Sequence, residues 1–154
     1  LTIYYNSSPK KLVMVNCHKF DDWDEARFDR GRKTQKLMYD LILGYYSDAI
    51  WEYQFNFKFK KSGRKIGADV YIPSKKLAIE GQGFQHYRYI DGFWGGEKGF
   101  KEIVKRDKEK MRKIKRHGMR LLIIPFCEDD PKLAKWGGDW ESLVNIAKEQ
   151  GIDL

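Results

Sequence analysis

Two acids and an amide define the chemistry open to this sequence. The runs Ile66–Ile72 and Leu77–Gln82 flank Pro73-Ser74-Lys75-Lys76, the pattern of two strands joined by a turn. With the hairpin symmetric about the Ser74–Lys75 bond, Ile72 faces Leu77 and Asp69 falls directly opposite Glu80. Side chains so placed have Cβ atoms about 4.5–5.5 Å apart. Two carboxylates at that separation repel unless a cation or a proton lies between them. Gln82, two residues beyond Glu80, shares its face. Hard divalent cations such as Mg²⁺ favour such oxygen groups, with water and substrate phosphate completing the shell. Such an ion polarises a phosphoryl oxygen and acidifies a coordinated water, which is the chemistry of phosphodiester hydrolysis. A register slip of one residue would leave one acid on the solvent face instead.

A second constellation lies on a helix. At about 100° per residue, Ile103, Val104, Met111 and Ile114 fall within about 60° of Phe100. Asp107 falls inside this apolar stripe, where an acid is costly unless it is paired or hydrogen-bonded. It belongs to a site, or it pairs locally with Arg106 or Lys110. Lys110 lies on the shoulder of the same face, within reach of the same site.

The elements that position these groups follow from periodicity. Residues 1–20 are poorly periodic, with an apolar run at Leu12–Val15, and read as an edge strand or an arm. Residues 22–46 read as a helix with Thr34, Leu37, Met38, Leu41, Ile42 and Tyr45 on one stripe. Trp51, Tyr53, Phe55, Phe57 and Phe59 then alternate with polar residues, a strand with one apolar face. After the hairpin comes a glycine-rich loop, Gly81–Gly99, and a helix over Lys98–His117 closed by Gly118. Leu121–Ile124, ended by Pro125, reads as a strand buried on both faces. Asp139 caps a last helix, Trp140–Gln150, with Trp140, Leu143, Val144 and Ala147 inward. The expected fold is mixed α/β, a small central sheet flanked by helices, in one domain.

Composition narrows the partners. The 154 residues carry 30 Lys+Arg against 22 Asp+Glu, a net charge of +8. The window from Lys98 to Arg120 alone holds eleven basic residues and three acids. A second basic cluster, Lys58, Lys60, Lys61, Arg64 and Lys65, surrounds a Ser62-Gly63 turn. Two such patches can follow a phosphate backbone; a solvated, highly charged helix has the same composition. Acids crowd residues 21–29, a segment expected to face away from phosphate. No apolar run approaches the ~18 residues needed to span a bilayer, so no membrane partner is expected. No secretory pattern opens the chain, and its start at Leu1 reads as a trimmed initiator end. Two cysteines, Cys17 and Cys127, exclude a disulfide scaffold and point to a reducing cytoplasm.

The joint order of these residues resembles the PD-(D/E)xK nuclease superfamily. Asp69 is followed by Ile79-Glu80-Gly81-Gln82-Gly83-Phe84-Gln85-His86-Tyr87, then by Arg106-Asp107-x-x-Lys110, Gly118 and the strand Leu121–Pro125. The pattern is closest to the branch of very-short-patch-repair-like and phage or homing endonucleases, and it covers residues 33–126. The resemblance implies a restriction-endonuclease-like core, residues 127–154 as a helical appendage, and Mg²⁺ held by Asp69 and Glu80. Gln82 stands where the superfamily usually has lysine, and an amide takes no proton at neutral pH. His86 becomes the first candidate for proton transfer and Lys110 the second; a loop histidine that only hydrogen-bonds is the alternative. Gln35 stands near the place of a first-helix glutamate, and Gln54 fits a first-strand glutamine. Arg106 and Asp107 support the site.

The function implied is a metal-dependent DNA endonuclease, intracellular and of phage type, acting on double-stranded DNA. A mismatch-type nickase and a catalytically silent DNA-binding module are the alternatives. Double-strand cutting from one site per chain would call for a homodimer or a higher symmetric oligomer. Phosphate contacts are expected from the Lys58–Lys65 cluster and from Lys101, Lys105 and Lys108, and Arg88 is a further expected DNA contact in the loop, where aromatics interleaved with arginine either stack on bases or pack the loop's own small core. A zinc site from Cys17, His18, His117 and Cys127 has no paired-cysteine spacing to support it.

Overall fold

The computed structural model describes residues 2–5, 12–15, 25–82, 96–125 and 136–154. Strands β1 (Thr2–Tyr5) and β2 (Leu12–Val15) form an antiparallel ribbon separate from the main sheet. The main sheet has four strands in chain order: β3 (Ile50–Lys58), β4 (Lys65–Ile72), β5 (Leu77–Gln82) and β6 (Arg120–Pro125). β3, β4 and β5 are antiparallel neighbours, and β6 lies parallel to β5. The parallel pair needs a crossover, which contains helix α2 (Gly96–Arg116). With α1 (Glu25–Tyr45) and α3 (Trp140–Glu149), this is the expected mixed α/β fold.

Helices cover both faces of the sheet. Met38 and Ile42 of α1, and Leu143, Ile146 and Ala147 of α3, join Val70, Ile72, Leu77, Ile79, Leu122 and Ile124 in the larger core. Ile114 of α2 packs with Phe55, Ile66, Ala68 and Ala78 in the smaller one. Burying each large aliphatic side chain contributes about 1.5–3 kcal/mol. The buried face of α1 centres on Met38 and Ile42, while Leu37 of the predicted stripe is 46% exposed. In α3 Leu143, Ile146 and Ala147 are buried and Trp140 packs against the core as expected, while Val144 is only half-buried.

Ends and edges follow local chemistry. Gly118, at φ +77°, closes α2, and the Met119 N–H donates back to the Ile114 carbonyl. Asp139 accepts from Ser142 N at 2.8 Å as the cap of α3. β6 is a sheet edge, and the Gln150 amide brackets it. Its Nε2 donates to Ile123 O at 2.6 Å, and its Oε1 accepts from Ile123 N at 3.0 Å. One side chain thus supplies a missing ladder rung and blunts the edge. Among the described residues, no helix is long and apolar enough to cross a membrane.

Candidate active site

The hairpin adopts the expected register, with Val70↔Ile79, Tyr71↔Ala78 and Ile72↔Leu77 as partners. The ladder ends there, one residue short of Asp69 and Glu80. Beyond it β4 continues on β3, while β5 continues on β6 through Glu80↔Ile123, Gly81↔Ile124 and Gln82↔Pro125. The two middle strands therefore fork. The register carries Asp69 to the level of Glu80, one residue past the last rung of this ladder, where each strand pairs with its outer neighbour.

Polar groups gather at this fork. Asp69 Oδ2 accepts from Gly81 N at 2.7 Å, so the carboxylate ties the two branches together. It also accepts a long contact from Gln35 Nε2 on α1 at 3.4 Å. Glu80 Oε2 pairs with Lys110 Nζ of α2 at 2.5 Å, with the two side chains 15% and 13% exposed. Gln82 is 3% exposed, and its Oε1 has no hydrogen-bond partner among the described residues. A buried acceptor left unsatisfied costs about 1–3 kcal/mol, and such an oxygen attracts a donor or a cation. Asp107 is 7% exposed, on the inner side of α2 with Val104 and Ile114. Among the described residues, no three His, Cys, Asp or Glu side chains converge as a metal-sized group.

The backbone at the fork is irregular in a specific way. The β3–β4 register passes from Trp51↔Val70 to Tyr53↔Ala68, without a rung at Glu52 and Asp69. Glu52 has φ +51°, the left-handed region. For a non-glycine residue this costs roughly 1–2 kcal/mol. Both strands change faces here. Ala68 belongs to the core under α2 and Val70 to the core under α1. Likewise Tyr53 stacks on Tyr71, while Trp51 stacks on Tyr39 of α1. The expectation that Trp51 shares a face with Tyr53, Phe55, Phe57 and Phe59 is therefore corrected. Gly67 fits the same tight region, since a Cβ there would lie 3.0 Å from Tyr53 O.

The fold joins the two basic segments. Glu109 Oε2 accepts from Lys60 N at 2.9 Å and from Lys113 Nζ at 2.8 Å. Lys113 Nζ also donates to Lys58 O, and Lys61 pairs with Glu102 at 3.2 Å. The β3–β4 turn is thus clipped to α2 by the acids of that helix. Lys58, Lys60, Lys61, Arg64 and Lys65 are exposed on the turn, as are Lys101, Lys105, Arg106 and Lys108 on the helix. The bond from Lys113 and that from Lys60 hold the Glu109 carboxyl below its ordinary value of 4.5. A lowered folded-state value means stability present above the unfolded value and lost as pH falls through the folded one. The Lys60 amide resonance is therefore expected to titrate with a midpoint below 4.5, and Glu109→Gln should abolish the titration. A midpoint at or above 4.5 would show that the clip does not form.

The structure thus pairs Gln35 of α1 with Asp69 and Lys110 of α2 with Glu80 at the fork, with Gln82 on the Glu80 strand. Gln54 lies exposed on β3 across from Gly67, two residues from the Asp69 level. Arg106 faces solvent. His117 is exposed and stacks on Phe57 at 4.1 Å. His86, Arg88, Cys17, His18 and Cys127 lie outside the described residues. Sequence reasoning passed over Glu52, whose residue type gives no signal of a left-handed backbone.

Comparison with known proteins finds viral relatives. A 70-residue stretch is 36% identical to uncharacterized protein 094L of Frog virus 3 (isolate Goorha), covering 45% of this chain and 45% of that protein. A 71-residue stretch is 30% identical to uncharacterized protein 307L of Invertebrate iridescent virus 6, covering 46% of this chain and 36% of that protein. The chain thus spans less than half the length of these curated relatives. No protein-family profile and no solved structure matches it.

Proposed function

We propose that this chain is a metal-dependent endonuclease that hydrolyses phosphodiester bonds in double-stranded DNA, of the phage homing-endonuclease kind. The observation that carries the reading is the fork between β4 and β5. Asp69 and Glu80 lie at its mouth, and the buried Gln82 Oε1 lies on the same branch as Glu80. The clipped basic surface of the β3–β4 turn and α2 supplies phosphate contacts.

The donor set fits Mg²⁺. Asp69 and Glu80 would hold the ion, and Gln82 Oε1, two residues along the strand from Glu80, is an orphaned hard donor. Mg²⁺ commonly takes one or two carboxylates and keeps several waters, so a third acid is not required. When bound, the ion supplies Lewis acidity toward a phosphoryl oxygen. Asp69 keeps the branches joined through Gly81 N, the residue after Glu80. Lys110 Nζ brings to Glu80 the positive charge that the Gln82 amide lacks, and is the described group best placed to hold a proton near the reacting phosphate.

A second reading, a DNA-binding module without hydrolysis, draws on the same Glu80–Lys110 pair, which neutralises one of the two acids. A nicking assay on supercoiled plasmid decides between them. Cleavage is expected with Mg²⁺, none with EDTA, and a loss of about 10³-fold or more in Glu80→Ala. Mismatched, branched and intact duplexes and RNA, run side by side, rank nickase against double-strand endonuclease. Absence of cleavage with any metal, with salt-sensitive DNA binding intact, would overturn the hydrolase reading in favour of the silent module.

A further inference from the structure

Beside the fork is a cluster that hydrolysis does not use. The rings of Tyr39 and Trp51 stack with centroids 5.8 Å apart and planes 19° from parallel. Lys36 Nζ lies 5.1 Å from the Tyr39 centroid and 5.2 Å from that of Trp51. Asp40 holds the Lys36 ammonium at 2.6 Å, which fixes a cation over the rings. Trp51 remains 36% exposed. Its orientation follows from the left-handed backbone at Glu52, without which it would point with Tyr53 toward α2. The irregularity that shapes the fork thus also turns an indole to the α1 side.

The cluster is close to the acids. Trp51 pairs with Val70, the neighbour of Asp69. Gln35, which contacts Asp69, and Tyr39, which contacts Trp51, are one turn apart on α1. One turn rises about 5.4 Å, against about 3.4 Å per nucleotide along a DNA strand. A base seated on the rings would therefore lie within one or two nucleotides of a phosphate at the fork.

We propose that Tyr39, Trp51 and Lys36 form a stacking platform for an unpaired nucleobase, so that the preferred substrate is DNA with an unstacked base next to the cleaved phosphate. The inference rests on the nucleic-acid reading of the fork. Every base has a π-face, so stacking tolerates any sequence, and the lysine adds a cation–π contribution. A base within a continuous stacked duplex presents no free face to such a platform. The exposed lysines of the β3–β4 turn and α2 attract the backbone in either case, so the platform changes preference more than overall attraction.

The test uses two duplexes with 2-aminopurine at one position, either paired or placed opposite an abasic site. Affinity and 2-aminopurine fluorescence are measured in EDTA, so that cleavage plays no part. The wild type is expected to bind the unpaired form about ten-fold or more tightly, with altered fluorescence. Trp51→Ala should remove most of that ratio and the fluorescence change, and Trp51→Phe should retain part of both; thermal melts confirm the fold. An unchanged ratio in Trp51→Ala, or no preference in the wild type, would overturn the platform. Trp51-dependent preference without cleavage in Mg²⁺ would sink the hydrolase reading and leave the platform standing. Cleavage without a Trp51-dependent ratio would do the reverse, and no binding to either duplex would sink both.

Discussion

Asp69→Asn is expected to keep the fold and lose about 10³-fold in Mg²⁺-dependent cleavage, whereas Asp69→Ala should lose stability as well. The two roles of this side chain separate on the page. Asp69 Oδ2 accepts from Gly81 N at 2.7 Å, where the β4–β5 ladder ends. Gly81 is buried, so removal of its acceptor leaves a backbone N–H without water to replace it. That costs about 1–3 kcal/mol, a drop visible in urea unfolding. Asparagine retains an oxygen for the same N–H and should stay close to the wild type in stability. It lacks the negative charge needed to hold a divalent cation, so the rate should fall by several kcal/mol of transition-state stabilisation. Cleavage by Asp69→Asn within ten-fold of the wild type would remove Asp69 from the metal site. Equal stability of the Asn and Ala variants would remove the bridge to Gly81 from the account of the fold.

Which parts of this site are readable in the sequence follows from the range of the forces involved. The hairpin register was legible because the turn at Pro73–Lys76 and the flanking apolar residues act locally. The same holds for Gly118 and Asp139, which act within one helical turn. Helical periodicity also carried Asp107 and Lys110 to the inner side of α2. The fork was not legible, because it comes from the parallel pairing of β5 with β6, a strand some forty residues later in the chain. Glu52 was equally silent. Its conformation is forced by strands that change faces together, against the preference of its residue type. Glu102 and Glu109 looked like solvated helix acids, and their role as clips appears only when the β3–β4 turn reaches α2.

Lys110→Met should destabilise the protein by about 2–4 kcal/mol, and Glu80→Gln added to it should recover most of that loss without recovering cleavage. The pair is nearly buried, with the side chains 13% and 15% exposed. Removing one partner leaves the other as an uncompensated charge in a poorly solvated place, which costs about 3–5 kcal/mol when burial is complete. The remaining exposure lowers that somewhat. Replacing both partners removes the stranded charge, so the double variant should unfold within about 1 kcal/mol of the wild type. A coupling energy near zero in this cycle would mean that the Glu80–Lys110 contact does not hold in solution. Lys110→Arg separates charge from proton transfer. Arginine keeps the cation but does not deprotonate near neutrality, so a group required only for charge tolerates it. If Lys110 moves a proton, the variant should lose about 10²-fold or more in rate. A rate within about three-fold of the wild type would return the proton-transfer role to His86, the first candidate from the sequence, and leave Lys110 as the counter-ion of Glu80.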